Sequence, residues 1–470
     1  MVDRRIATTS GSDTVLKEAA VEDFRGRLRG DLLCPDNDGY DEARTVWNAM
    51  IDKRPGLIVR CAGVADVIDS VNLARSNNLL VAVRGGGHSV AGTAVCDGGI
   101  MIDLSTMKGL RVDPTARTAR AEPGLTWGEF DRETQAFGLA TPGGQISTTG
   151  IAGVTLGGGW GWLSRKYGLA ADNLLSADIV TADGNFVTAS ATENAELFWG
   201  LRGGGGNFGV VTSFEYRLHP VGPTLVAGMV VHPYEKAKEV LKFYQEFTSN
   251  MPEELTCHAA LMSSPEGAPI VAIVACYNGP IEEGERVLRP VREFGPPLAD
   301  QMGPMAYTQV QAMLDAAYPP GFQDYWKSNF MTELTDDAID TLVAYCAVRP
   351  SPMCHVLIEG ILGGAVSHIG REETAFNHRD VVYSFLSLGV CADPAESEKC
   401  IQWAQEVWEA MRPFTTEDVY VNYLGQEADE GADRVKAAYG PEKYQRLVAL
   451  KTKYDPTNLF RLNQNIKPTG

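Results

Sequence analysis

Residues 81–89 combine an apolar run with three consecutive glycines and a histidine, Val-Ala-Val-Arg-Gly-Gly-Gly-His-Ser. The run predicts a buried strand, and residues 56–61 and 64–74 upstream predict a strand and a helix. Such a unit favours parallel strands and a right-handed crossover, so a ligand would sit where the second strand ends. Gly85, Gly86 and Gly87 allow positive φ and leave backbone N–H groups unshielded, as a pyrophosphate site requires. An ordinary tight loop and a structural role for His88 are the alternatives for this stretch alone.

Three further glycine-rich stretches follow, at residues 141–150, 157–161 and 204–209. The last, Gly-Gly-Gly-Asn-Phe-Gly, matches the G-x-G-x-x-G pattern of nicotinamide-dinucleotide sites, which requires a strand before the glycines and a helix after them. Here a predicted helix at 193–202 precedes the glycines and a predicted strand at 210–218 follows them. The pattern therefore does not indicate a nicotinamide site. Residues 141–150 also carry hydroxyls, which suits hydrogen bonds to phosphates or to the edge of a cofactor ring, with a plain loop as the alternative.

The chain of 470 residues exceeds the usual size of a single hydrophobic core, so two domains are expected. Composition changes at residues 219–223, His-Pro-Val-Gly-Pro, which predicts a boundary. We expect residues 1–220 to form most of the first domain, residues 221–417 a second domain, and residues 418–470 to return to the first. Strand pairs alternate with helices in the second segment, which is typical of an antiparallel sheet covered on one face. The predicted class is α+β.

Charge and cysteine content restrict the partners that this chain can have. The 60 acidic residues outnumber the 41 basic ones, and the net charge of −19 repels nucleic acid and anionic membranes. No stretch reaches the roughly 20 apolar residues of a membrane span, and residues 1–17 do not resemble a secretory signal. The nine cysteines are scattered, which favours reduced thiols in a cytoplasm over disulfides or zinc. We expect a cytoplasmic monomer or small homo-oligomer that binds a small molecule and no metal.

Five motifs spread over almost the whole chain carry a resemblance to a known family. They are Arg-Gly-Gly-Gly-His-Ser at 84–89, Gly-Gly-Gly-Trp-Gly-Trp-Leu-Ser-Arg-Lys-Tyr-Gly-Leu-Ala-Ala-Asp-Asn at 157–173, Gly-Gly-Gly-Gly-Asn-Phe-Gly-Val-Val at 203–211, Tyr-Val-Asn-Tyr at 420–423 and Tyr-Asp-Pro-Thr-Asn-Leu-Phe-Arg-Leu-Asn-Gln-Asn-Ile at 454–466. With these motifs the chain resembles the flavoprotein oxidases of the vanillyl-alcohol oxidase superfamily, in their berberine-bridge-enzyme-like branch. Within that branch it is similar to bacterial members of secondary-metabolism or hydroxynicotine-oxidase type. The resemblance implies a discontinuous FAD-binding domain and an antiparallel-sheet substrate domain.

The resemblance implies FAD attached covalently to His88, through attack of a neutral imidazole nitrogen on the 8α-methyl carbon of the flavin. Many relatives add a thioether bond from a cysteine in a C-P-T-x-G type loop, but the matching residue here is Ile146, so a single tether is predicted. Val154 matches a position where valine or glycine accompanies reaction with O2, although an ordinary core valine is also compatible with the sequence. The other predicted cofactor-binding residues are Arg84, Gly85, Gly86, Gly87, Ser89, Gly144, Ser147, Thr148, Thr149, Gly153, Gly158, Gly159, Asp172, Asn207, Gly209, Val210, Val211, Asn463 and Asn465.

Oxidation of a substrate by hydride loss also requires a base for the departing proton. Tyr420, Asn422 and Tyr423 resemble the family's Y-x-N-Y motif, and on a predicted last strand Tyr420 and Asn422 would share a face opposite to Tyr423. A tyrosine serves as base only if its pKa is lowered, and otherwise it is structural. Glu359, on an apolar strand predicted at 353–362, is the second candidate because burying a carboxylate is costly. Relatives with an acid on this strand carry it at the position of Ile358, which would place Glu359 on the wrong face.

Trp326 and Phe330 are predicted to line an aromatic substrate pocket, with burial in the core as the alternative. His378 and Arg379 are interpreted as structural. The leading hypothesis is an FAD-dependent oxidase that passes two electrons from a small organic substrate to O2 and releases hydrogen peroxide. The alternatives are a flavin dehydrogenase, a flavin-oxygen-dependent oxygenase, and a flavin-binding protein without turnover. The fold does not select a substrate.

Overall fold

The computed structural model describes residues 3–425 and 430–469. Its first part contains a two-stranded hairpin of β1 and β2 and a four-stranded sheet in the order β3-β4-β6-β5. Both β4 and β5 pair with β6 in parallel, and the predicted strand, helix and strand are β4, α3 and β5. The bounds are β1 Arg4–Ala7, β2 Asp13–Leu16, α1 Glu18–Arg27, β3 Asp31–Leu33, α2 Tyr40–Arg44, β4 Leu57–Arg60, α3 Val64–Ser76, β5 Val81–Arg84 and β6 Ile100–Asp103.

A five-stranded antiparallel sheet follows, in the order β11-β10-β12-β8-β7, and the pair β9 and β13 lies outside it. Residues 204–209 stand between a helix and a strand, α7 and β12, as the sequence predicts. The bounds are β7 Leu110–Asp113, β8 Thr118–Ala121, α4 Trp127–Gln135, β9 Leu139–Ala140, α5 Ile151–Leu156, α6 Ser164–Tyr167, β10 Leu174–Val180, β11 Phe186–Ser190, α7 Ala195–Leu201, β12 Val210–Arg217 and β13 His219–Pro220.

An eight-stranded antiparallel sheet contains the remaining strands, in the order β17-β14-β16-β15-β20-β21-β19, with β18 also paired to β14. Helices α8, α9, α11 and α13 bury their apolar residues against one face of it, which confirms the predicted architecture. The bounds are β14 Thr224–Pro233, α8 Ala237–Thr248, β15 Leu255–Ser263, β16 Pro269–Tyr277, α9 Ile281–Glu293, β17 Ala299–Asp300, β18 Gly303–Ala306, α10 Tyr307–Ala312, β19 Gln323–Met331, α11 Asp336–Cys346, β20 His355–Gly360, α12 Ala365–His368, β21 Tyr383–Cys391 and α13 Ser397–Met411.

The last helices are α14, Ala432–Tyr439, and α15, Pro441–Tyr454, and the chain after them packs against the first sheet through Leu459 and Phe460. Lys451 and Asp455 form a fully buried ion pair of 2.7 Å, and Lys451 also donates to the carbonyl of Asn207. These contacts fix the C-terminal segment to the glycine-rich loop at 204–209. None of the described helices is both long enough and apolar enough to cross a membrane.

The sequence prediction is wrong at residues 420–423. They form no strand, because Val421–Tyr423 is a single turn of 3₁₀ helix that follows an extended Tyr420. Strands β14 and β19 and the hairpin of β1 and β2 were not predicted at all.

Candidate active site

A cavity of about 330 Å³ lies where the glycine-rich turns meet the sheet face that α8, α9, α11 and α13 leave uncovered. That volume is within the range of small-molecule sites in proteins. One wall, which we call the glycine wall, comes from β5, the turn at 85–89, residues 144–154 and residues 205–211. The other comes from β19, β20 and β21, and residues 420–424 and 460–464 close the cavity.

The glycine wall has the features that a dinucleotide requires. The turn at 85–87 packs directly on Gly150, since a Cβ on Gly86 would lie 2.5 Å from the Gly150 backbone. By contrast, a Cβ on Gly153 or Gly206 would meet no atom within 4 Å, so the backbone there is open to a ligand. The buried Oδ1 atom of Asn463, a residue of the cavity wall, accepts no hydrogen bond from any described residue, and a ligand bound in the cavity can supply the missing donor. These residues fit the dinucleotide part of FAD.

His88 lines the cavity at the end of the glycine turn. Its ring stacks on Trp47, with centroids 4.9 Å apart and planes inclined by 19°, and its Nε2 lies 3.1 Å from Thr148 Oγ1. Burial lowers the pKa of His88 from 6.5 to about 4, so the ring is neutral at physiological pH. A neutral imidazole is the nucleophilic form. Ile146 also lines the cavity, and none of the nine cysteines does.

Most of the predicted cofactor-binding residues line the cavity, and eight do not. The lining contains, besides His88 and Asn463, the predicted residues Gly85, Gly86, Gly87, Ser89, Gly144, Thr149, Gly153, Val154, Gly209, Val210 and Val211. The eight outside it are Arg84, Ser147, Thr148, Gly158, Gly159, Asp172, Asn207 and Asn465.

Several of these eight side chains are engaged in holding the loops instead. Arg84 donates to the carbonyl of Ala43, and Ser147 donates to Asp315 through both its backbone N–H and its hydroxyl. Asn207 bonds to Gly204, Gln464 and Ile466, which joins the loop at 204–209 to the C-terminal segment. These residues hold the loops of the cofactor site in place without lining the cavity.

Asp172 is a structural residue rather than a cofactor ligand. Its two carboxylate oxygens accept hydrogen bonds of 2.7 and 3.0 Å from the guanidinium of Arg379, and both side chains are almost completely buried. Arg379 also donates to Val366 and Thr374, and His378 bonds to the carbonyl of Ala438, in agreement with the structural roles predicted for both.

Glu359 projects from β20 into the cavity and is fully buried. Its Oε1 accepts hydrogen bonds from Gln145 Nε2 and, at 3.2 Å, from the hydroxyl of Tyr423. Burial raises the pKa of this carboxyl from 4.5 to about 7, although the hydrogen bonds oppose the rise. Ile358 packs in the core beneath the helices, so the expectation that Glu359 lies on the wrong face is incorrect.

The motif at 420–423 lies at the same place, with a geometry that differs from the predicted one. The rings of Tyr420 and Tyr423 lie 5.0 Å apart, whereas a strand would have placed them on opposite faces. Tyr420 stacks on Trp160 at 3.7 Å, and its hydroxyl oxygen accepts hydrogen bonds from Gly159 N–H and Asn422 Nδ2. Burial raises the pKa of both tyrosines, which is the opposite of what a tyrosine base requires.

The substrate side of the cavity is largely apolar. Trp326 lines it, as predicted, with its ring edge-on to Trp47 and to Tyr423 at 5.7 Å in each case. Phe330 does not line it, which corrects the prediction, because this residue is fully buried behind Trp160. Sequence reasoning missed several lining residues, namely Trp47, Gln145, Leu314, Tyr318, Leu357, Leu386 and Leu388. The alternation of Leu386 and Leu388 on β21 was the available signal for the last two.

Two family models match the chain, one described as "FAD binding domain" at residues 55–190 and one as "Berberine and berberine like" at residues 419–467. An FAD-linked oxidoreductase of Dictyostelium discoideum is 34% identical over 95% of this chain and 97% of its own length. (R)-6-hydroxynicotine oxidase of Paenarthrobacter nicotinovorans is 31% identical over 94% of this chain and 98% of its own. The chain belongs to the berberine-bridge-enzyme-like family of FAD-linked oxidoreductases.

The same architecture is present in a solved structure of this family. The crystal structure of 6-hydroxy-D-nicotine oxidase from Arthrobacter nicotinovorans superposes with a TM-score of 0.87 at 31% identity, covering 94% of this chain and 98% of that one. The two matched regions of this berberine-bridge-enzyme-like protein contribute most of the glycine wall, with His88, and the turn with Tyr420 and Tyr423. The protein is therefore an FAD-dependent oxidoreductase, and the cavity between these regions is its candidate active site.

Proposed function

We propose that this protein is an FAD-dependent oxidase that takes a hydride and a proton from a small, largely apolar organic substrate and passes the two electrons to O2, giving hydrogen peroxide. The observation that carries the proposal is Glu359. It is the one Asp or Glu residue among the described residues of the cavity wall, where the other side chains are mostly apolar or aromatic. Bound FAD supplies the two-electron acceptor.

Glu359 is proposed as the base that accepts the substrate proton. A base is most effective when its pKa lies near the working pH, and burial brings this carboxyl to about 7. Gln145 and Tyr423 hold Oε1, and Oε2 has no partner at full hydrogen-bond geometry, although Ser384 and Trp160 lie near the carboxyl. Tyr420 is proposed as an anchor, because its hydroxyl is occupied by Gly159 and Asn422.

His88 is proposed as the only covalent attachment point of the flavin. The neutral ring and its support by Trp47 and Thr148 favour attack by the imidazole. Ile146 stands in the loop where relatives carry a second attachment residue, and isoleucine has no nucleophilic atom. A single tether follows from these two side chains.

Val154 supports O2 as the final electron acceptor. It lines the cavity on the first turn of α5, and its carbonyl accepts a hydrogen bond from Asn422 Nδ2 at 3.3 Å, so its position is fixed. A valine there leaves space that the extra methylene of an isoleucine would fill. We further propose a cytoplasmic location, since all nine cysteines are free thiols, as a reducing compartment favours. We also propose a monomer or small homo-oligomer.

The test is anaerobic flavin reduction by substrates that a screen identifies from flavin bleaching under nitrogen. In Glu359→Gln we expect full flavin content and reduction slower by about 10² to 10⁴. Asp324→Asn is the matched control, because burial also raises the pKa of Asp324 to about 7, but this carboxyl bonds to Trp326 Nε1 and does not line the cavity. Rapid mixing of the reduced protein with O2 then separates an oxidase from a dehydrogenase, an oxygenase and a protein without turnover. Wild-type reduction by Glu359→Gln would refute the assignment of the base.

A further inference from the structure

His258 is a fully buried histidine that sits beside Glu359 in the eight-stranded sheet. The two residues are directly opposite each other, His258 on β15 and Glu359 on β20. Directly paired residues of antiparallel strands carry their side chains on the same face, with Cβ atoms about 4.5–5.5 Å apart. His258 therefore lies on the same face of the sheet as the proposed base and next to it, although it does not itself line the cavity.

Both partners in this pair have polar atoms without a described hydrogen-bond partner. Neither Nδ1 nor Nε2 of His258 has a partner at full hydrogen-bond geometry, and neither does Oε2 of Glu359, although the carbonyl of Cys257 lies near the ring and Ser384 and Trp160 lie near the carboxyl. The ring is packed by Trp162, with centroids 5.1 Å apart, and by Val274, its opposite residue on β16. A buried imidazole N–H and a buried carboxylate oxygen on neighbouring strands are a natural donor and acceptor, because each otherwise bears the cost of burial unpaired.

We propose that His258 is a positioning residue for the reaction: its ring N–H donates a hydrogen bond to Oε2 of Glu359, directly or through one water, and holds the carboxylate in the orientation that accepts a proton. The proposal rests on Glu359 being the base, as proposed above. Burial keeps the imidazole of His258 neutral, because it lowers the pKa to about 3. A neutral ring donates one N–H without adding a charge.

No lysine or arginine lines the described cavity wall, and the donors that compete for this role are the hydroxyl of Ser384, opposite Glu359 on β21, and the indole N–H of Trp160. The titratable groups on this side of the pair, among the described residues, include the phenols of Tyr318, Tyr420 and Tyr423, and burial raises the pKa of each. They also include His355 on β20, whose ring bonds to Tyr318 and whose pKa burial lowers. On α6, which packs against β15, the guanidinium of Arg165 donates to the carbonyl of Leu362.

The direct test is a pH titration of the Glu359 carboxyl in the resting holoenzyme by infrared difference spectroscopy, with Glu359→Gln identifying the band. In His258→Leu, loss of the donor destabilises the ionised carboxylate, so the midpoint moves up by about one pH unit. His258→Gln restores an N–H donor and should keep the wild-type midpoint. His232→Leu is the matched control, because His232 is equally buried and unpartnered but packs on Phe294 beneath the helices.

Kinetics provides the second measurement. At pH 7, anaerobic flavin reduction should be several-fold slower in His258→Leu than in the wild type, and the two rates should converge at high pH. An unchanged carboxyl midpoint in His258→Leu, or equal displacement in His258→Leu and His258→Gln, overturns the proposal. If the leucine variant does not fold, His258→Asn replaces it: we expect the shorter asparagine amide to raise the midpoint while His258→Gln keeps it, and equal behaviour overturns the proposal. Failure of the proposed base is seen separately, as wild-type reduction by Glu359→Gln, because the infrared titration requires no turnover.

Discussion

Replacing Tyr423 by phenylalanine tests whether this residue is itself the base or only a hydrogen-bond donor to Glu359. The hydroxyl donates to Glu359 Oε1 at 3.2 Å, and the substitution removes only that donor. A hydrogen bond to a charged group contributes about 1.5–3 kcal/mol, and the long distance favours the lower end. Because one pH unit corresponds to about 1.4 kcal/mol, the carboxyl midpoint should rise by about one pH unit.

The sign of the effect follows from the form of Glu359 that accepts a proton. Only the ionised carboxylate is a base, so anaerobic flavin reduction in the wild type should increase with pH through the Glu359 pKa of about 7. In Tyr423→Phe the same increase should occur about one pH unit higher, which lowers the rate at pH 7 about five-fold and leaves it unchanged at high pH. Tyr420→Phe is the control, since its hydroxyl contacts Gly159 and Asn422 and not the carboxylate. A loss of about 10² or more at every pH in Tyr423→Phe would show that the tyrosine itself is the base, and our reasoning would be wrong.

Three further predictions concern the tether, the oxygen reaction and the fold. His88→Ala should leave no flavin on acid-precipitated protein, and an FAD adduct in its mass spectrum would contradict the single tether. Val154→Ile should slow reoxidation by O2 without slowing anaerobic reduction, which rapid mixing measures as two separate rates. Arg379→Met leaves the carboxylate of Asp172 buried without its cation and should lower the free energy of unfolding by about 3–5 kcal/mol in urea titrations. The control, Lys238→Met, removes an exposed ion pair and should lower the free energy of unfolding by less than about 1 kcal/mol. Equal losses in the two variants would count against the burial argument.

The glycine wall of the site was predictable because its signal is local. Consecutive glycines after an apolar run are visible in the sequence and indicate a turn with an unusually free backbone. His88 follows such a turn directly. The strand β19 was not predictable in this way. Lys327 and Asn329 interrupt its apolar pattern, and they are buried only because Glu430 and Trp408, which are distant in sequence, provide partners. The residue pattern of one segment does not show which distant residues will pair with it in the fold.

The face on which Glu359 lies differs from the one that the family resemblance implied. The position of an acid in relatives led to the expectation that Glu359 points away from the cavity. In the structure, Glu359 is opposite Ser384 and His258, and the side chain of Glu359 lines the cavity. A shift of one residue reverses the face of a strand, so register must be established from the paired strands and not from a motif in one of them.

The turn at 420–423 explains how one short motif serves both walls of the cavity. Residues three apart lie on opposite faces of a strand, but they lie one above the other in a 3₁₀ turn, so Tyr420 and Tyr423 stand on the same side. Both rings contact Trp160, yet their hydroxyls reach in different directions: that of Tyr420 accepts from the N–H of Gly159, in the glycine-rich segment behind the glycine wall, and that of Tyr423 donates to Glu359 on the sheet. The spacing of the motif is therefore what couples the cofactor wall to the proposed base. Inserting or deleting a single residue in this turn would break both connections together, whereas either hydroxyl can be removed alone without disturbing the other.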